Sequence, residues 1–188
     1  MVMVMNQKIS TVDLIYIAFG AALITVCSWI SIPTVVPFTL QTFAVFCVLS
    51  ILGGKRGTLS VLVYILLGTV GLPVFSGFKS GAAVLLGTTG GYILGFILTG
   101  IIYIIMEKTA GKRQPFETIS LVLGLIACYT FGTIWFMNVY AAKTGPIGVG
   151  AALSWCVIPF IIPDIIKLVI ALLISNRVRN TVPMLSVQ

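Results

Sequence analysis

Continuous apolar runs separated by short breaks make up most of this chain, and that pattern decides its solvent before anything else. The runs cover residues 12–30, 37–52, 57–75, 90–106, 118–140 and 149–175. A helix needs about 20 apolar residues to cross a bilayer. Most runs meet that length, and the second and fourth do so by borrowing from their flanks. A transmembrane barrel would instead show shorter segments of alternating polarity. The pattern predicts an all-α, integral membrane bundle of six helices, formed as a single transmembrane domain over residues 1–188.

Composition agrees. Only 8% of the 188 residues are charged and 59% are hydrophobic, whereas a water-facing domain carries roughly 25% charged residues. The chain has no histidine and four carboxylates. A histidine-dependent triad or histidine-ligated metal site is therefore excluded, acid–base chemistry has little to work with, and neither metal nor cofactor is expected. Cys27, Cys47, Cys128 and Cys156 lie inside apolar runs without metal spacing, and read as small buried residues. The first run follows a single lysine, Lys8, and shows no small-x-small cleavage site before Trp29, so it reads as a retained helix.

The basic residues set an orientation. With the N-terminus in the cytoplasm, Lys8, Lys55, Arg56, Lys108, Lys112, Arg113, Arg177 and Arg179 fall inside, and Lys79 and Lys143 fall outside. Lys167 lies within the sixth run. The bias matches the positive-inside rule and places both termini in the cytoplasm. It also accounts for the net charge of +7 without nucleic acid. The outer connections, Ser31 to Leu40 and the glycine-rich Ser76 to Gly91, carry little charge, and the second suits either folding back over a cavity as a lid or an ordinary mobile loop.

Asp164 and Lys167 do not belong in lipid. Their spacing puts both on one helix face, and each charge near the bilayer centre costs about 3 kcal/mol on insertion scales. Such residues face the bundle interior and mark substrate or ion pathways. A mutual salt bridge is the plainer reading, though a buried pair stabilises poorly because desolvation offsets its attraction. Pro163 predicts a helix start there, with Asp164 at its N-terminus, and such a break belongs beside a cavity. Gln41, Tyr92, Trp135 and Asn138 fall in the same outer half, as does Lys79 on its loop. These five also suit interhelical hydrogen bonds, interfacial aromatics and a solvated lysine. Ala18 and Ala22, four apart, suit close helix packing, either within the bundle or against another membrane protein.

Four stretches together resemble the BioY family of biotin-binding substrate subunits of energy-coupling-factor (ECF) transporters: P-F-T-L-Q-T (Pro37 to Thr42), Y-x-x-x-G-x-x-G-L-P-V-F-S-G (Tyr64 to Gly77), G-T-T-G-G-Y-I-L-G-F (Gly87 to Phe96) and P-F-I-I-P-D-I-I-K (Pro159 to Lys167). The resemblance implies a multi-pass protein of a bacterial cell membrane that captures biotin from outside. Asp164 would accept a ureido N–H and Lys167 would donate to the ureido carbonyl. Gln41, Asn138 and Tyr92 would complete the polar shell, and Lys79 would meet the carboxylate. It further implies that Ala18 and Ala22 meet a transmembrane coupling subunit carried on two ATP-binding subunits. The chain has no G-x-x-x-x-G-K-[ST] loop of its own, and is expected not to be an enzyme. The alternatives are a substrate subunit for another vitamin, or a stand-alone proton-coupled carrier using Asp164.

Overall fold

The computed structural model describes residues 10–111 and 114–181. Lys8, Lys112 and Arg113, on which the charge count draws, lie outside the described residues. The protein is an all-α membrane bundle. Helix α1 spans Thr11–Trp29. Its start is fixed by a capping box in which the Ser10 hydroxyl accepts the Asp13 N–H at 3.1 Å and the Asp13 carboxylate accepts the Ser10 N–H at 2.8 Å. A two-residue antiparallel hairpin follows, β1 (Ser31–Ile32) and β2 (Phe38–Thr39).

Helix α2, Gln41–Thr69, is folded in two. Gly53 takes φ 80° and ψ 169°, a conformation essentially restricted to glycine. The arms 41–52 and 54–69 therefore run antiparallel. A Cβ on Gly57 would lie 2.9 Å from Leu49 Cα, and Gln41 Nε2 donates to the Tyr64 hydroxyl at 2.9 Å across the arms. The second and third expected helices are these arms, joined by one residue. The stretch 70–75 is not helical, because Phe75 folds back to lay its ring on Gly68.

Short helix α3 (Ala82–Leu85) precedes α4 (Gly90–Ala110) and α5 (Gln114–Thr144). The last two approach closely through glycines: a Cβ on Gly95 would sit 2.8 Å from Cys128 Sγ, and Gly132 carries the Tyr92 ring. Helices α6 (Val149–Cys156) and α7 (Ile158–Thr181) complete the bundle. Counting the arms of α2 separately and α6–α7 as one broken pass, six helical passes result. Five of the helical segments are long and apolar enough to cross a membrane.

The break in the last pass falls at Val157, not at Pro163. Pro159 occupies the first turn of α7, where a missing N–H is tolerated, and Pro163 lies inside the helix. Asp164 consequently sits in the second turn rather than at the helix N-terminus.

Polar groups separate to the two ends. Asp13 pairs with Arg56, Glu117 pairs with Arg179 at 2.7 Å, and Glu107 accepts the Gly54 N–H at 2.9 Å. This end, at the tip of the α2 hairpin, collects three of the four carboxylates. The opposite end holds the β hairpin and the 70–89 connection. Outward faces are apolar: α7 exposes Ile162, Ile165, Ile166, Val169 and Leu173, as a lipid solvent requires.

Candidate functional site

Asp164 is the fourth carboxylate, alone in the half of the bundle that carries the loops. It is 2% exposed, and Lys167, one turn further along α7, is 6% exposed. The two pair, Lys167 Nζ to Asp164 Oδ1, at 2.8 Å. Both also line a cavity that, with its open mouth, encloses about 800 Å³ of non-atom space. The salt bridge and the pocket are therefore one feature, since the pair forms part of the cavity wall.

Two further groups hold the pair. The Tyr129 hydroxyl on α5 donates to Asp164 Oδ2 at 2.6 Å, a short charge-assisted bond. Lys167 Nζ donates to the main-chain carbonyl of Thr39 at 2.7 Å. The same ammonium lies 4.5 Å from the centre of the Phe38 ring, which supplies a cation–π contact. Phe38 in turn stacks on Phe160 of α7 at 5.6 Å. Buried charges are tolerable only when so surrounded.

Gln41, Tyr92 and Lys79 line the same cavity. Gln41 is buried at the first residue of α2, its amide tied to Tyr64. The Tyr92 hydroxyl lies 3.0 Å from Thr133 Oγ1. Lys79 is exposed, and its carbonyl accepts the Phe75 N–H at 3.0 Å. Apolar walls come from Phe75, Ile93, Phe96, Leu125 and Phe160. The arrangement suits a ligand with a polar head against α7, an apolar body and a tail at the mouth.

Asn138 does not join this group. Its side chain is exposed and outside the cavity lining. Nine residues separate it from Tyr129, and at 100° per residue that places it on the opposite side of α5. Trp135 also stands apart, donating from its indole to the Gly87 carbonyl at 3.0 Å and so anchoring the glycine-rich connection. The residues that sequence reasoning missed are Tyr129, Phe38 and the Thr39 carbonyl. An aromatic in an apolar run reads as core, and a main-chain carbonyl leaves no mark on composition.

Ala18 and Ala22 are exposed on α1, beside Leu14, Ile15 and Phe19. The buried face of α1 is Ile17, Gly20, Ala21 and Ile24. The alanines thus do not pack within the bundle.

The profile of the BioY family matches residues 5–184. The chain is 44% identical to a biotin transporter BioY of Thermotoga maritima, over 89% of this chain and 96% of the relative. It is 38% identical to a probable biotin transporter BioY of Pyrococcus horikoshii, over 77% and 82%. The fold is similar to the crystal structure of the S-component for biotin from an ECF-type ABC transporter, with TM-score 0.79, 31% identity and 95% of each chain covered.

Proposed function

Because the chain belongs to the BioY family, we propose that it is the biotin-binding subunit of an ECF-type vitamin uptake transporter. The observation that carries this reading is the Asp164–Lys167 pair on the wall of a cavity that also carries Phe75, Phe96 and Phe160. A ureido head offers N–H donors to Asp164 and a carbonyl to the ammonium. Its thioether ring suits the walls of Phe75, Phe96 and Phe160, and its carboxylate chain reaches Lys79 at the mouth.

Direction follows from charge. With Lys55, Arg56, Lys108, Arg177 and Arg179 gathered at the end away from the cavity, the positive-inside rule puts both termini in the cytoplasm and the cavity mouth outside. Biotin is then the transported ligand, no cofactor takes part, and the subunit catalyses no reaction. Ala18 and Ala22 present a smooth, lipid-facing patch to a transmembrane coupling subunit, and two ATP-binding subunits supply the energy.

A sibling specificity is disfavoured by head-group chemistry. Riboflavin presents an acceptor–donor–acceptor edge, which would set its carbonyls against the Asp164 carboxylate. The test is an equilibrium titration of the purified full chain with biotin, riboflavin and thiamine. Saturable biotin binding alone is expected, and preference for either other vitamin would overturn the specificity. Uptake that persists in cells lacking the ATP-binding subunits would instead favour a stand-alone carrier.

A further inference from the structure

The polar wall of the cavity is a row of three groups rather than a pair. Lys167 Nζ stands between Asp164 Oδ1 at 2.8 Å and the Thr39 carbonyl oxygen at 2.7 Å. Asp164, Lys167 and Thr39 all line the cavity. Around one ammonium the wall therefore reads acceptor, donor, acceptor. An ammonium has three protons. The two flanking oxygens take one each, which leaves the third for a further acceptor. Each flanking oxygen keeps acceptor capacity for a second donor. Tyr129 holds the far oxygen of Asp164 and so sets the plane of the carboxylate.

A cyclic urea carries the complementary edge: N–H, C=O, N–H. Its two N–H vectors diverge on either side of the carbonyl. Hydrogen bonds weaken steeply away from linearity, so a single carboxylate does not serve both N–H groups well. Resting on the reading that the ligand is biotin, we propose that the main-chain carbonyl of Thr39 is the second acceptor for the ureido ring. The row Asp164–Lys167–Thr39 then meets the ring in register. Half of the N–H recognition is carried by backbone of the β hairpin, which no side-chain substitution removes.

The experiment uses biotin and its two cyclic carbamate isomers, in each of which one ureido N–H is replaced by oxygen. All three are titrated against the full-length wild type, Tyr129→Phe and Gln41→Leu, the last two each removing a side-chain acceptor from the cavity lining. Both carbamates are expected to bind the wild type roughly 10- to 100-fold more weakly than biotin, because each leaves a buried acceptor facing oxygen. In both variants the two carbamate-to-biotin ratios should stay within about threefold of wild type. If one isomer binds as well as biotin, a single acceptor suffices and the proposal fails. It fails equally if either variant erases the penalty of one isomer, since that side chain is then the acceptor. A wild type that does not bind biotin at all would instead overturn the functional reading.

Discussion

Lys167 Nζ lies 2.7 Å from the carbonyl oxygen of Thr39, joining the middle of α7 to the β hairpin that follows α1. The contact spans 128 residues of sequence and makes the charge pair a clasp on the connection at the cavity mouth. Removing one partner of a buried ion pair costs about 3–5 kcal/mol. Lys167→Met should therefore lower thermal stability in detergent, and should weaken biotin binding by at least 100-fold. Faster amide hydrogen exchange is expected in residues 31–40. Exchange there at the wild-type rate would mean that the hairpin is held by other contacts.

Asp164→Asn keeps shape and removes charge. The Tyr129 hydroxyl and the Lys167 ammonium, both donors to Asp164, would then share a neutral and weaker acceptor. Biotin affinity is expected to fall roughly 10- to 100-fold in a calorimetric titration, with the helical circular dichroism spectrum unchanged. Unchanged affinity would remove the carboxylate from ligand recognition.

Much of this was legible in the residues because the bilayer simplifies the code. Continuous apolar runs declare helices, and a charge inside a run declares a cavity, which marks Asp164 and Lys167. Gln41 and Tyr92 could be placed by their depth. Depth does not settle azimuth, which is why Asn138, at the right level of α5, faces away from the cavity. Tyr129 was hidden for the opposite reason, since it looks like any other aromatic of the run. The last pass misled through its two prolines. Both fit a first turn by residue type, and only packing selected Pro159 over Pro163.

The α2 hairpin turns on one residue. Gly53 adopts φ 80° and ψ 169°, where an alanine would be strained by about 1–3 kcal/mol. Gly53→Ala should lower the melting temperature. It should also loosen the Gln41–Tyr64 hydrogen bond, which needs the arms side by side, and weaken binding as a result. A variant as stable as the wild type would show that the reversal tolerates another conformation.

Lys79 is exposed and lines the cavity, so under the proposed reading its flexible ammonium would meet the ligand tail in a wet setting. Such surface attractions are worth about 1 kcal/mol or less. Lys79→Ala should weaken biotin binding by no more than roughly fivefold. The effect should vanish for biotin amide, in which a neutral primary amide replaces the carboxylate. An equal loss for both ligands would assign Lys79 to the connection's structure rather than to the carboxylate.

If the exposed face of α1 meets a coupling subunit, substitutions there should separate capture from transport. Ala18 and Ala22 are exposed while Gly20 and Ala21 pack inward against the α2 arms, Gly20 lying on Ser60 and Val48. A bulky residue at position 18 therefore extends into lipid and leaves the bundle intact, yet blocks close approach of another helix. Ala18→Trp should keep biotin affinity within about twofold of wild type. Copurification with a coupling subunit should be lost, and biotin uptake should fall at least tenfold in cells that carry the ATP-binding subunits. The matched substitution Phe19→Trp, on the exposed face but outside the small-residue patch, should leave uptake unchanged. If both variants transport normally, the partner meets another face. If Ala18→Trp loses binding itself, the alanine patch is part of the bundle after all.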